Sequence, residues 1–296
     1  MKSSSHWFKP LTVFAVAALT WAETSVKIAH ANPSTTLAQN VESVEIYVPP
    51  PETGNTGVCP YFLEGEIKEI IDSSSFAGAR WGILVESLES GETFYSYNAN
   101  SPLIPASNTK LFTAAAALQR LDNNAVIRSK SLKEWIGVTL LMSNNSYADV
   151  LLRYLGGAGA VKTALANLGV NPGGYRQVDG SGLSRQNAAT PDAIVDTLKA
   201  MKNAKGRDIF YSSLPVAGVS GTLRNRFRNT SVQGKVRAKT GTLTGVRALS
   251  GYLEHPQYGT IVFSIVANHP GSSGRSLISG IDRIVLDLNR LTPCDI

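Results

Sequence analysis

Cysteine, histidine and long apolar runs are all scarce in this sequence, and each scarcity removes a class of function. With 2 cysteines and 4 histidines in 296 residues, and neither a Cys-x-x-Cys nor a His-Glu-x-x-His spacing, no metal ligand is assigned. His6 and His30 fall in the first 31 residues, and His255 and His269 each precede a proline. No Gly-x-Ser-x-Gly elbow accompanies them, which disfavours a serine-histidine-aspartate hydrolase. A phosphate loop and a dinucleotide fingerprint are also lacking, so no cofactor is expected. The formal charge is +6, yet no Lys/Arg run is interleaved with aromatics. Nucleic acid is therefore not an expected partner, whereas weak attraction to anionic polymers or membrane surfaces is compatible with the charge. Internal repeats and low-complexity tracts are absent. The longest apolar run, residues 11–22, is too short to cross a bilayer comfortably.

That run has another reading. Lys2 and Lys9 precede it, and Ala29-His30-Ala31 offers a small-x-small cleavage site before Asn32, so residues 1–31 read as an export signal. Cleavage after Ala22, and retention as an uncleaved anchor, are the alternatives. The mature protein is expected outside the cytoplasmic membrane, in the periplasm or an equivalent extracytoplasmic space. Residues 32–58 are polar and broken by Pro49-Pro50-Pro51 and Gly54-Asn55-Thr56-Gly57, which suits a tether, although residues 41–48 could pair as an edge strand. Residues 59–296 form the expected folded domain. Cys59 and Cys294 stand at its two ends, and in an oxidising compartment a bridge between them would tie those ends together; two unrelated thiols are the other reading.

A 43% hydrophobic content supplies a core of ordinary size, organised as one domain with two lobes. Leu63, Ile67, Ile70 and Ile71 repeat at helical spacing. Residues 81–86 and 93–97 read as a hairpin through Ser90-Gly91. Helices are predicted over 111–121, 132–142, 147–155, 160–168, 191–201 and 275–289, the fifth opened by Thr190-Pro191. Strands are predicted over 235–240, 246–254 and 260–268, with turns at 241–245 and 255–259. The fold class is α/β in the α+β sense: an antiparallel sheet flanked by terminal helices, with an all-helical lobe over about 107–219.

Chemistry concentrates at Ser107-Asn108-Thr109-Lys110, ahead of an alanine-rich helix. Residues three apart share a helix face, so the Lys110 amine can reach the Ser107 hydroxyl, the spacing of a lysine-activated nucleophile. A helix-capping serine followed by a solvated lysine is the competing reading. Ser143-Asn144-Asn145, at a corner between helices, and Lys239-Thr240-Gly241, at a strand end, follow in order. The ordered set resembles the penicillin-recognising serine enzymes. Within them it is most similar to D-alanyl-D-alanine carboxypeptidases of the S13 peptidase family, because Asp179-Gly180-Ser181-Gly182-Leu183-Ser184-Arg185 and Ser220-Gly221-Thr222-Leu223 match further signatures of that group. The resemblance runs over about 81–289.

The resemblance implies a β-lactamase/transpeptidase-like fold with the site between its lobes. It implies a serine-type carboxypeptidase acting on peptidoglycan peptides ending in D-Ala-D-Ala, through an acyl-serine that β-lactam antibiotics would also form. Ser107 would be the nucleophile and Lys110 its base, deprotonated by burial beside a second cation, Lys239. Ser143, beside Lys110, would relay a proton to the leaving amine, and Asn145 would hold the substrate amide. Lys239, Thr240, Gly241 and Thr242 would receive the terminal carboxylate, and the N–H groups of Ser107 and Thr242 the oxyanion. One departure stands out. The S13 enzymes usually carry a long insertion between the serine helix and the serine-x-asparagine corner, where this chain has only residues 111–142, leaving carboxypeptidase against endopeptidase preference open. A β-lactamase of the same fold is an alternative, although residues 145–201 hold no Glu-x-x-Leu-Asn base signature. A non-catalytic wall-binding or penicillin-sensing protein is another.

Overall fold

The computed structural model describes Pro50, residues 57–271 and residues 274–294; the expected signal over 1–31, the possible edge strand over 41–48 and most of the tether lie outside the described residues. Helix α1 (Leu63–Ile71) buries Leu63, Ile67, Ile70 and Ile71, while Glu64 and Lys68 pair across one turn on its solvent side at 2.7 Å. Strands β1 (Arg80–Ser87) and β2 (Thr93–Tyr97) form the expected hairpin, with a bulge at Val85/Glu86. A 3-10 turn (Ala106–Asn108) leads into α2 (Thr109–Arg120), in which every residue from Thr109 to Leu118 is buried. A helix buried on every side over so many residues lies at the centre of its lobe.

The hairpin of β3 (Val126–Ile127) and β4 (Lys130–Ser131) turns through Arg128 and Ser129, both at positive φ. Next come α3 (Leu132–Leu141), opened by a reciprocal Ser131/Glu134 cap, and α4 (Asn145–Leu155), closed by Gly156 in the left-handed region. Helix α5 (Ala158–Ala166) and the ribbon of β5 (Tyr175–Arg176) with β6 (Ala188–Ala189) follow. Helix α6 (Pro191–Ala200) starts as predicted, with Thr190 accepting from Ala193 N ahead of a first-turn proline; α7 (Arg207–Ser212) and the two ribbons carry too few residues to show a periodicity. Strands β7 (Val236–Leu243), β8 (Val246–His255) and β9 (Gly259–Asn268) and helix α8 (Arg275–Asn289) complete the chain.

The main sheet has the order β2-β1-β9-β8-β7, antiparallel throughout. Alternate residues of each strand serve two cores: Ile83, Val85, Ile261, Phe263 and Ile265 pack with α1 and α8, while Leu84, Val262 and Val266 pack with α2, α3 and α6. Helices on both faces explain why β9 reads as a continuous apolar run rather than as an alternation. The two ends of the folded domain, residues 57–294, meet beyond α8. Val58 bonds to Arg290 and Thr292, and Cys59 and Cys294 form a disulfide with Cα atoms 4.9 Å apart. Among the described residues no helix is long and apolar enough to cross a membrane.

One prediction needs correcting in a way that matters for the site. Strand β7 does not stop at Thr240 but continues through Gly241 and Thr242, pairing them with Ala248 and Arg247, so the turn contracts to Thr244-Gly245. Gly241 is there for proximity: a side chain on it would meet the Pro105 carbonyl at 2.7 Å and Ala248 Cβ at 3.0 Å. The bare backbone lets β7, an edge strand, lie directly against the turn that carries Ser107.

Candidate active site

Ser107 lies in the 3-10 turn, two residues ahead of the first residue of α2, and Ala106 before it is held at φ +48. This is backbone that a non-glycine residue adopts only under constraint. Two contacts supply it. Asn108 Nδ2 donates to Ser250 Oγ at 2.7 Å, and Ser250 Oγ bonds Ser264 Oγ at 2.9 Å, pinning the turn to the sheet through buried groups. Gly182, itself at φ +86, presses its bare backbone against the Ala106 carbonyl. The Ser107 hydroxyl makes no cap; Lys110 Nζ donates to it at 2.9 Å.

Lys110 is fully buried. Its nitrogen also donates to Asn145 Oδ1 at 2.7 Å and to the Ser181 carbonyl at 2.6 Å, so all three ammonium protons are placed. Burial pulls its pKa down to about 8, against the opposing pull of the Asp149 and Asp179 carboxylates. Of the expected drivers, burial leads, and the repulsion between the two lysines is expressed on the other partner. Lys239, also fully buried, is itself held well below the ordinary lysine range, first by burial and then by the charge of Lys110.

Both carboxylates act through one loop. Asp149 Oδ1 accepts from Gly180 N and Ser181 N, each at 2.9 Å, while Asp179 accepts from Gly182 N at 2.5 Å and Ser184 N at 2.6 Å. This fixes the Ser181 carbonyl that Lys110 meets. Thr113, one turn further along α2 than Lys110, adds a hydroxyl bond to the Gly180 carbonyl at 3.1 Å. Sequence reasoning read Asp179 and the glycine-serine loop but missed Asp149. The available signal was its position four residues after Asn145 in α4, which puts both side chains on one face.

The serine-x-asparagine corner is partly helical. Asn144 is the N-cap of α4, accepting from Tyr147 N at 3.0 Å, and Asn145 is its first residue, aimed at Lys110. Ser143 precedes them at φ +55. Its hydroxyl accepts from Lys239 Nζ at 2.8 Å, so it stands on Lys239 rather than on Lys110 as the resemblance implied. Lys239 Nζ also reaches the Thr240 carbonyl at 2.9 Å, and Thr240 Oγ1 meets Thr222 Oγ1 of the Ser220-Gly221-Thr222-Leu223 segment at 2.8 Å. Thr242 is exposed on the same edge strand. Cys59 and Cys294 lie in the disulfide, apart from this cluster. The three segments thus converge: Ser107 and Asn145 meet on Lys110, and Ser143 and Thr240 meet on Lys239. Among the described residues no group of His, Cys, Asp and Glu is arranged to hold a metal.

An antiparallel sheet between terminal helices and a helical lobe, with a serine and two buried lysines where β7 meets the serine turn, defines a β-lactamase/transpeptidase-like protein. Solved structures share that fold. Penicillin binding protein 4 from Haemophilus influenzae, complexed with a novel β-lactam, matches with TM-score 0.66 and 14% identity, covering 77% of this chain and 100% of that one. A β-lactamase from Chitinophaga pinensis matches with TM-score 0.64 and 20% identity, covering 77% and 98%. The chain belongs to the D-Ala-D-Ala carboxypeptidase 3 (S13) family, whose model matches residues 63–132 and 124–288. The two matches overlap at the β3–β4 hairpin, within the short 111–142 connection. Over 176 residues the chain is 42% identical to the D-alanyl-D-alanine carboxypeptidase of Actinomadura sp. strain R39, a match covering 54% of this chain and 32% of that protein. The chain therefore matches only about a third of that curated relative's length.

Proposed function

We propose that this protein is a penicillin-binding serine D-alanyl-D-alanine carboxypeptidase that works on peptidoglycan stem peptides outside the cytoplasmic membrane. The observation that carries the reading is the trio of acceptors around Lys110. A neutral amine keeps two protons and one lone pair. The Ser181 carbonyl and the Asn145 amide oxygen can only accept, so they retain the two protons and the lone pair is left facing the one partner that can donate, the Ser107 hydroxyl. Ser107 then loses its proton to Lys110 as Oγ bonds to the peptide carbonyl carbon. The carbon–nitrogen bond breaks as the departing amine takes the proton that Lys110 received from Ser107, and D-alanine leaves; the Ser143 hydroxyl, held by Lys239 Nζ, is the polar group available to pass that proton across. Water repeats the sequence on the acyl-serine, returning free serine and a shortened peptide. Lys239, Thr240 and Thr242 suit the terminal carboxylate, Gly241 lets their strand approach, and the N–H groups of Ser107 and Thr242 suit the oxyanion.

The engagement of the nearby carboxylates favours this reading over a β-lactamase, which needs a base for rapid deacylation. The two carboxylates that act on Lys110, Asp149 and Asp179, are each tied to two backbone N–H groups and are poorly placed to activate water. The disulfide favours an oxidising, extracytoplasmic setting, and the positive net charge favours weak contact with wall polymers or the membrane surface. A reporter penicillin and a peptide ending in D-Ala-D-Ala test the proposal. Long-lived label on Ser107 together with D-alanine release is expected. Rapid turnover of the penicillin would mean a β-lactamase, and absence of label a binding protein.

A further inference from the structure

Residues 215–223 run along the side of β7 that faces away from β8 and stop beside the serine site. Ala217 N donates to the Val236 carbonyl at 2.9 Å and Ala238 N to the Pro215 carbonyl at 3.0 Å, so Val216 pairs with Arg237 and covers the outer edge of β7 as far as Ala238. The chain then folds back. Ser220 Oγ accepts from Val216 N at 3.2 Å, and Gly221, at φ +57, lays bare backbone against the Leu141 carbonyl, which a side chain there would meet at 2.5 Å. Leu141 is the last residue of α3, two before Ser143. The 3-10 turn Gly221–Leu223 is thereby clipped between the helical lobe and β7, and it sets Thr222 Oγ1 at 2.8 Å from Thr240 Oγ1.

Two hydroxyls in contact share one bond and have a second proton to place. As they stand, Thr240 donates and Thr222 accepts, and both hydroxyls can rotate. Lys239 Nζ spends two of its three protons on Ser143 Oγ and the Thr240 carbonyl, so one is left for a carboxylate and the rest of its hydrogen bonding falls to hydroxyls. A carboxylate only accepts. One that docks on Thr240 takes the Thr240 proton, and Thr240 Oγ1 then needs a donor of its own, which Thr222 supplies by turning its proton round; no proton changes owner. A hydroxyl backed by a second donor gives a stronger bond to a charged acceptor. Resting on the carboxypeptidase reading above, we propose that Thr222 is a positioning residue that orients the Thr240 hydroxyl toward the terminal carboxylate. Thr222 thus sets part of the preference for acid-ended substrates over neutral ones.

The test compares acylation of the full chain by a reporter penicillin and by its methyl ester, which lacks the carboxylate charge. Thr222→Val, at an exposed position, should lower the acid-over-ester ratio of acylation rate constants about tenfold, and Thr222→Ser should restore that ratio to within about twofold of the parent. The pH at which acylation falls off on the acid side, set by Lys110, should stay in place. Added to Thr240→Val, Thr222→Val should change the ratio by less than about twofold, because the hydroxyl through which it acts is gone. Equal slowing of acid and ester overturns the proposal, since it would mean a structural role alone. A full tenfold loss in the Thr240→Val background also overturns it, since Thr222 would then touch the carboxylate itself. A parent that takes no label from either reagent would sink the carboxypeptidase reading and this inference with it, whereas a labelled parent whose Thr222→Val variant keeps the parent's ratio removes this inference alone.

Discussion

At the scale of single residues, the titration of Lys110 sets the rate of the proposed chemistry. With its pKa near 8, about a tenth of this lysine is neutral at pH 7, against well under one in a thousand for an ordinary lysine. A base must be deprotonated to act, so the acylation rate constant with a reporter penicillin should rise about tenfold per pH unit below 8 and level off above it. Lys110→Ala should lower that constant by about 10²–10⁴-fold. Asp149 provides a sharper test because its charge and its hydrogen bonds can be separated. The Asn variant keeps an oxygen for Gly180 N and Ser181 N but removes the negative charge that favours the protonated lysine. Asp149→Asn should therefore shift the acid limb of the acylation profile below pH 8, with the plateau rate little changed. A shift upward would contradict the electrostatics assigned here.

At the scale of elements, the glycines separate those that admit a neighbour from those that merely loosen the chain. Gly241→Ala would push a methyl into the Pro105 carbonyl and Ala248, parting β7 from the serine turn. It should cost about 1–3 kcal/mol of stability by denaturant titration and slow acylation as well. Gly65, in the first turn of α1, has nothing within 4 Å of the point where a side chain would begin, and Gly65→Ala should add about 0.5 kcal/mol with acylation unchanged. The same contrast explains what could be read in advance. α8 was legible to the residue because Ile281, Val285 and Leu288 repeat on one buried side, and α6 because Thr190 and Pro191 mark its start. The continuation of β7 through Gly241 was not legible, since glycine reads as a turn unless the backbone that fills its place is known. Of the candidate site, the serine, lysine and asparagine positions were visible as spacing. What held them was not: Asp149, Asn108 with Ser250, and Gln177 with Thr113 are ordinary polar residues until the fold sets them opposite their partners.

At the scale of the whole molecule, the two cores lie on opposite faces of one sheet, and the serine turn touches that sheet where β7 and β8 run together. The two ends of the folded domain are closed on the far core, where Val58 pairs with Leu291 and Cys59 is bonded to Cys294 across 235 positions. Cross-linking so long a loop restricts the unfolded chain far more than it restricts the native one, with an upper bound of about 5 kcal/mol and a usual yield of about 2–4. The bridge also holds α1 and α8 to one face of the sheet, whereas Lys110, Asn145 and Asp149 belong to the other lobe. Stability and chemistry should therefore separate. In a Cys59→Ser/Cys294→Ser chain the melting temperature is expected to fall by about 5–15 °C, while at 20 °C the acylation rate constant and the position of its acid limb should match the parent within twofold. A variant that kept its melting temperature would show that the ends are held by strand and helix packing alone. One that lost acylation while still folded would show that the terminal core, and not only the helical lobe, sets the geometry around Ser107.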